Sequence, residues 1–166
     1  MSRRLHRVAD RPLPAFKNYV QTLAKWLHEL DAWALAITLT IKRHDHRGRP
    51  VNQQVVNSAA RHFINALNQA CFGRYRARKG FTVGFAVAYG WGVYENHPHL
   101  HLSVTVPKHI AIKEFCNLID RASNVVHWID EHRKIERYRD IGWMRYLVHH
   151  GTDQVLVELV RPSHPV

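Results

Sequence analysis

Apolar positions change their period along the chain, and the changes mark the elements. From Pro14 onward Phe16, Tyr19, Val20, Leu23, Leu27 and Leu30 recur at three- and four-residue steps, the spacing of an amphipathic helix. WALAITLTIK (33–42) alternates and is rich in β-branched residues, which predicts a strand. RHDHRGRP (43–50) is a polar turn with Gly and Pro. Asn52 is placed to cap a long helix whose apolar stripe is Val55, Val56, Ala59, Phe63, Ile64, Leu67 and Cys71. GRYRARKG (73–80), basic and bounded by glycine, reads as a loop. FTVGFAVAYGWGVYE (81–95) predicts a strand whose glycines permit bulges or a close approach, and HPHLHLSVTV (97–106) predicts its hairpin partner. Pro107 opens a helix carrying Ile112, Phe115, Cys116 and Ile119. At least one strand falls within VVHWIDEHRKIERY (125–138), a short helix runs from near Asp140 to Gly151, and QVLVELV (154–160) reads as a last strand. The order fits an α+β fold, a single antiparallel sheet with flanking helices, in one domain over 14–166 behind a basic arm at 1–13.

Composition narrows the class. A chain of 166 residues can bury one sizeable core, and 46% apolar content excludes a disordered polymer. A net charge of +11 exceeds what solubility asks of a small domain, and its usual partner is a polyanion. Cys71 and Cys116 lie in apolar helical patterns and form no CxxC, as expected of free thiols in a reducing compartment. The basic N-terminus lacks a following apolar stretch, and no apolar run has the length of a membrane span. A cytoplasmic protein without a membrane partner is expected.

Candidate chemistry gathers in two places. NHPHLHLSV (96–104) puts His99 and His101 on one face of a strand, roughly 7 Å apart along it, while Leu100 points the other way. If Asn96, His97 and Pro98 form a tight turn, Glu95 sits across the ladder from His99 and shares its face. Glu95, His99 and His101 then form a mixed oxygen and nitrogen site with open positions. Such a site suits Mg²⁺ or Mn²⁺ with substrate phosphate completing the shell, and would accept Zn²⁺. His97 competes as third ligand, although its turn position and Pro98 weigh against it; His44, Asp45 and His46 are further candidates. The second place is GWMRYLVHHG (142–151). At about 100° per residue Ile141, Trp143, Met144, Leu147 and Val148 fall in one arc, and Gly142, Arg145, Tyr146 and His149 in the other. Tyr146 is therefore not core filling.

AITLTI (36–41), PHLHLSV (98–104) and RYLVHHGTD (145–153), in this order, resemble the three motifs of the HUH endonucleases, named for His-hydrophobic-His, and in particular of the small rolling-circle replication initiators (Rep proteins) of plasmids and phages. The third is most similar to the RYL-x-H form of one group of plasmid initiators. The chain departs from the pattern in two respects: His149 stands where many Rep tyrosine motifs carry lysine, and Glu95 is nearer to His99 than the acidic residue usually is. The resemblance implies a ferredoxin- or RRM-like HUH nuclease fold and a nickase. In it a divalent ion, Mg²⁺ or Mn²⁺, held by His99, His101 and Glu95 would polarise the scissile phosphate. Tyr146 would attack, giving a 5′-phosphotyrosine and a free 3′-OH and storing the bond for rejoining. A tyrosine with a pKa of about 10 needs help to lose its proton, and His149 and Arg145 are the candidates, one as base and the other as positive neighbour. Tyr138 and Tyr94 are rival nucleophiles.

The implied partner is single-stranded DNA at a replication origin or hairpin. Arg74, Arg76, Arg78 and Lys79 offer phosphate contacts, Tyr75 offers a stacking surface, and the arm at Arg3, Arg4 and Arg7 is a similar candidate. There is no G-x-x-x-x-G-K-[ST] stretch, so a helicase would come from the host. Three other classes stay open: an HUH transposase, a metal-dependent hydrolase with no covalent step, and a non-catalytic basic nucleic-acid-binding domain.

Overall fold

Four strands form one antiparallel sheet in the order β2-β3-β1-β4 in a computed structural model that describes residues 14–91, 97–149 and 154–164. The elements are α1 (Pro14–Glu29), β1 (Leu35–Ile41), α2 (Gln53–Arg78), β2 (Phe85–Trp91), β3 (Pro98–Val104), α3 (Ile112–Asn124), β4 (Ile129–Arg137) and α4 (Ile141–Val148). From β1 to β4 the succession is βαββαβ, the ferredoxin-like arrangement, with α1 and α4 added outside it.

The alternation of β1 explains the two layers. Leu35, Ile37, Leu39 and Ile41 point to one face and join Phe85, Val87, Tyr89, Leu100, Leu102 and Val104. On them lie Val56, Phe63 and Leu67 of α2 with Phe115 and Ile119 of α3, and this is the main core. The opposite face carries Ala86 and Ala88, covered by Ala24 and Leu27 of α1 and Met144, Leu147 and Val148 of α4. Asn52 caps α2, its side chain accepting from Val55 N at 2.9 Å, and Asp140 caps α4, accepting from Gly142 N at 2.7 Å.

Three expectations are corrected. The basic stretch 73–80 is not a loop. Gly73 alone leaves the helix, at φ 76° and ψ 156°, and the arginine-rich residues after it resume helix as far as Arg78. QVLVELV does not form a strand. Its bridges at Val155 and Arg161 flank a 3₁₀ turn, Val157–Leu159, because Leu156 and Leu159 bury themselves at a three-residue spacing that a strand cannot supply. The helix after Pro107 begins only at Ile112, since Ile110 N turns back to Pro107 O at 3.0 Å. The arm at 1–13 lies outside the described residues, and no helix among the described residues is long and apolar enough to cross a membrane.

Candidate active site

Register builds the site from the strands. On the α1/α4 face, His101 of β3 stands between Thr38 of β1 and Ala88 of β2, and His99 between Thr40 and Gly90. These neighbours are small, so the imidazoles rise above them. The two rings have centroids 6.1 Å apart and an interplanar angle of 38°. His101 is buried at 8% exposure, and its Nδ1 lies 3.1 Å from Thr38 Oγ1. When that contact is an Nδ1–H donated to the hydroxyl, Nε2 carries the lone pair, which is how a neighbour orients a metal-binding histidine. A Cβ added to Gly90 would stand 3.5 Å from Nε2, so the glycine keeps the space beside that atom open.

α4 crosses above this row. Met144 sulfur accepts from Ser103 Oγ at 3.7 Å, and Leu147 and Val148 fix the helix in the second core. That anchoring turns Tyr146 to the sheet's rim, 45% exposed, with its ring edge-to-face with His101 at 5.0 Å. Trp143, one turn earlier, stacks on Tyr146 at 5.4 Å and meets His101 at 5.9 Å. Its indole Nε1 is buried with no hydrogen-bond partner among the described residues. A groove of about 380 Å³ opens beside the tyrosine, walled by Gly142, Trp143 and Tyr146 on one side and by Glu136, Arg137 and Arg139 on the other. Comparison with protein-family models, curated proteins and solved structures finds no match.

The residues expected from sequence divide sharply. His99, His101 and Tyr146 come together, although 45 positions separate the second from the third. Glu95 lies outside the described residues, but the ladder position across from His99 belongs to Gly90, so the tight-turn register expected for Glu95 does not form. Trp91 pairs with Pro98, which leaves the longer segment 92–97 to join the strands. Among the described residues no third His, Cys, Asp or Glu gathers with the pair. Asp45 is committed elsewhere. Its Oδ1 accepts from the Arg47 and Arg49 backbones at 2.8 and 2.9 Å, and Oδ2 from Arg49 Nε at 2.6 Å. Burial alone would raise its carboxyl, but those hydrogen bonds from Arg49 and Arg47 outweigh it and hold the pKa down to about 2. His46 packs edge-on against His127.

Arg145 and His149 are both exposed, and Arg145 makes no hydrogen bond or ion pair among the described residues. Tyr138 lies between Arg137 and Arg139 but does not itself line the groove. Its backbone N–H bonds Ala34 O, four residues from Thr38 and so about 13 Å away along β1. Its hydroxyl meets His28 Nδ1 at 2.7 Å, and burial, then the charge of Asp140, push its pKa up to about 12. Tyr94 lies outside the described residues. Arg74, Tyr75, Arg76, Arg78 and Lys79 sit at the end of α2, on the opposite face of the sheet and toward Phe85 rather than Gly90, roughly 17 Å away along β2 alone. They do not line the groove. Trp143, Thr38, Gly90, Arg137 and Arg139 were not anticipated as site residues. The indole falls in the apolar arc of the tyrosine helix, Thr38 lies within AITLTI without standing out from its neighbours, and Gly90, Arg137 and Arg139 carry no local motif.

Two imidazoles on one face, one fixed by Thr38 and beside an open space, fit a divalent ion that takes the rest of its shell from oxygen donors.

Proposed function

We propose that this protein is an HUH-type tyrosine endonuclease that nicks and rejoins single-stranded DNA. The observation that carries the reading is the contact of the Tyr146 ring with His101, 5.0 Å between centroids, which joins two motifs distant in sequence beside a groove that Tyr146 lines. The order of the three motifs supports it independently.

His99 and His101 are the proposed holders of a Mg²⁺ or Mn²⁺ ion, which would supply positive charge to the oxygens of the scissile phosphate. Glu95, the third ligand proposed from sequence, would reach them from the segment joining β2 to β3. Thr38 orients His101. Arg137 and Arg139 flank the groove and hold the backbone of the strand, and Trp143 keeps the Tyr146 ring in place by stacking. The Tyr146 oxygen attacks the phosphorus while the bond from phosphorus to the 3′ oxygen breaks; the tyrosine proton leaves to a base, and the departing 3′ oxygen takes up a proton. The product pair is a 5′-phosphotyrosine and a 3′-OH. Attack by a 3′-OH on that phosphotyrosine reverses the exchange and reseals the strand. This is the chemistry that starts rolling-circle replication of a plasmid or phage, the role its resemblance suggests.

The test is a pool of 3′-labelled single-stranded 40-mers of random sequence, incubated with the protein and Mn²⁺ and resolved under denaturing conditions. Label migrating with the protein is expected, and it should vanish with EDTA. Shortened DNA without any labelled protein would instead identify a hydrolase that uses water.

A further inference from the structure

Toward the Phe85 end of β2, away from the histidine pair, the surface is strongly basic, and nothing in the proposed reaction uses it. Arg74, Arg76, Arg78 and Lys79 end α2, Lys108 follows β3, and Arg161 lies in the last described segment. The walls of two neighbouring grooves connect these pieces: Ala77, Gly80 and Arg161 line one, and Phe72, Lys108 and His164 the other. All six cations are exposed, and none forms an ion pair among the described residues.

The patch is held in a fixed shape. Gly80, at φ 92°, sends its N–H to Ala77 O at 3.2 Å, and Phe81 N–H reaches Arg76 O at 3.1 Å, the Schellman ending of a helix. Below it Phe72, Phe81, His109 and His164 pack ring against ring at centroid distances of 4.9–6.2 Å, tying α2, the turn after β3 and the last segment together. Arg76 lies over Phe81 at 5.7 Å. At about 100° per residue, Arg74, Tyr75, Arg78 and Lys79 share one arc of the helix, some 7 Å from first to last.

We infer that this basic end is a second nucleic-acid surface, independent of the tyrosine site, that binds the phosphates of duplex DNA. The aromatic rings decide against a single strand. Four of them are spent on one another, which leaves Tyr75, with Lys79 over its ring at 5.7 Å, as a lone exposed platform where a single strand asks for several in succession. What remains is rigid positive charge, which suits phosphates held at regular spacing. A membrane surface would ask for apolar side chains around the cations, and Tyr75 is the sole large exposed one within this patch among the described residues.

The experiment is fluorescence anisotropy with EDTA present, using a labelled blunt 20-bp DNA duplex over a range of salt. One variant carries Arg74→Glu, Arg78→Glu and Lys79→Glu; the control carries Lys25→Glu, Arg47→Glu and Arg121→Glu, three exposed reversals elsewhere with the same change in net charge. The patch variant should lose on the order of tenfold or more in affinity, and the slope of log K against log salt should fall by about 2–3. The control should keep both near the wild-type values. The milder Arg74→Ala, Arg78→Ala, Lys79→Ala variant should show the same direction with a normal far-ultraviolet circular dichroism spectrum. Equal losses in patch and control variants would overturn the inference, because net charge alone would then explain binding. So would tighter binding of the wild type to double-stranded RNA or to phosphatidylserine vesicles than to the DNA duplex, or a patch variant that loses single-strand binding and keeps duplex binding. Loss of duplex binding with intact adduct formation on short single strands would mark this surface as separate; failure of the nickase reading leaves the duplex measurement unaffected.

Discussion

One sheet presents two unlike faces. Toward α2 and α3 it shows leucine, isoleucine, valine and phenylalanine, nearly all below a tenth exposed. Toward α1 and α4 the same strands show Ala36, Thr38, Thr40, Ala88, Gly90, His99, His101 and Ser103. Leu100 and His101 are chain neighbours, yet one is a core residue at 0% exposure and the other lies beneath a tyrosine at a groove. The period of two separates the core from the face proposed to carry the chemistry at single-residue resolution. The face with small residues gives up packing and gains room for imidazoles and for the helix that carries Tyr146.

Exchanging neighbours should therefore give opposite phenotypes. The largest effect is expected for activity on the second face. Tyr146→Phe and His101→Ala should each lower strand cleavage by on the order of 10³-fold or more, about 4 kcal/mol of transition-state stabilisation, while melting stays cooperative. Binding of DNA should survive in both, measured by anisotropy. Next comes stability on the first face. Leu100→Ala should cost about 2–5 kcal/mol in urea unfolding, and the fraction that remains folded should still cleave. A Leu100→Ala protein that is fully stable but inactive would break the comparison.

Smaller effects sharpen it. Tyr138→Phe removes the hydroxyl from His28 and should cost about 0.5–1.5 kcal/mol without altering cleavage, because Tyr138 belongs to the packing of α1 rather than to the groove. The smallest effect is confined to the turn after β1. The Asp45 carboxyl sits at about 2 in the folded protein, below its ordinary value near 4. Its contribution is present above pH 4 and is lost as pH falls from 4 toward 2, where the unfolded chain takes up the proton first. Asp45→Asn should flatten that part of the acid unfolding curve and leave cleavage at neutral pH unchanged.

How much of this was legible in the sequence depended on how local the signal was. Alternation in 35–41 and 98–104 sufficed to put His99 and His101 together on one face, and the apolar arc of 141–148 sufficed to leave Tyr146 out of the core. Asn52 and Asp140 announced their helices because a cap acts within three residues. The register of the β2–β3 hairpin was not legible. It depends on the length of the connection, and no Asn-Gly or Asp-Gly pair marks a two-residue turn there, so Gly90 rather than Glu95 came to face His99. The basic residues after Gly73 were legible as charge but not as position, because the side of the sheet on which α2 packs is a property of the whole fold. Trp143 illustrates the remaining limit: its place in the apolar arc was correct, and its stacking on Tyr146 follows from the tertiary contact of α4 with β3.

The central claim is that Tyr146 is the nucleophile, and mass spectrometry of the covalent species tests it most directly. The protein is allowed to react with single-stranded DNA and Mn²⁺, the DNA is trimmed with nuclease, and the adduct is digested with trypsin. Cleavage after Arg137, Arg139 and Arg145 separates the two described rivals, leaving Tyr138 in a dipeptide and Tyr146 at the head of the peptide 146–166, since the Arg161–Pro162 bond resists trypsin. A nucleotide mass on the 146–166 peptide, fragmenting at its first residue, is the expected result. A nucleotide on Tyr138 or on any other side chain, or cleaved DNA with no modified peptide at all, would contradict it.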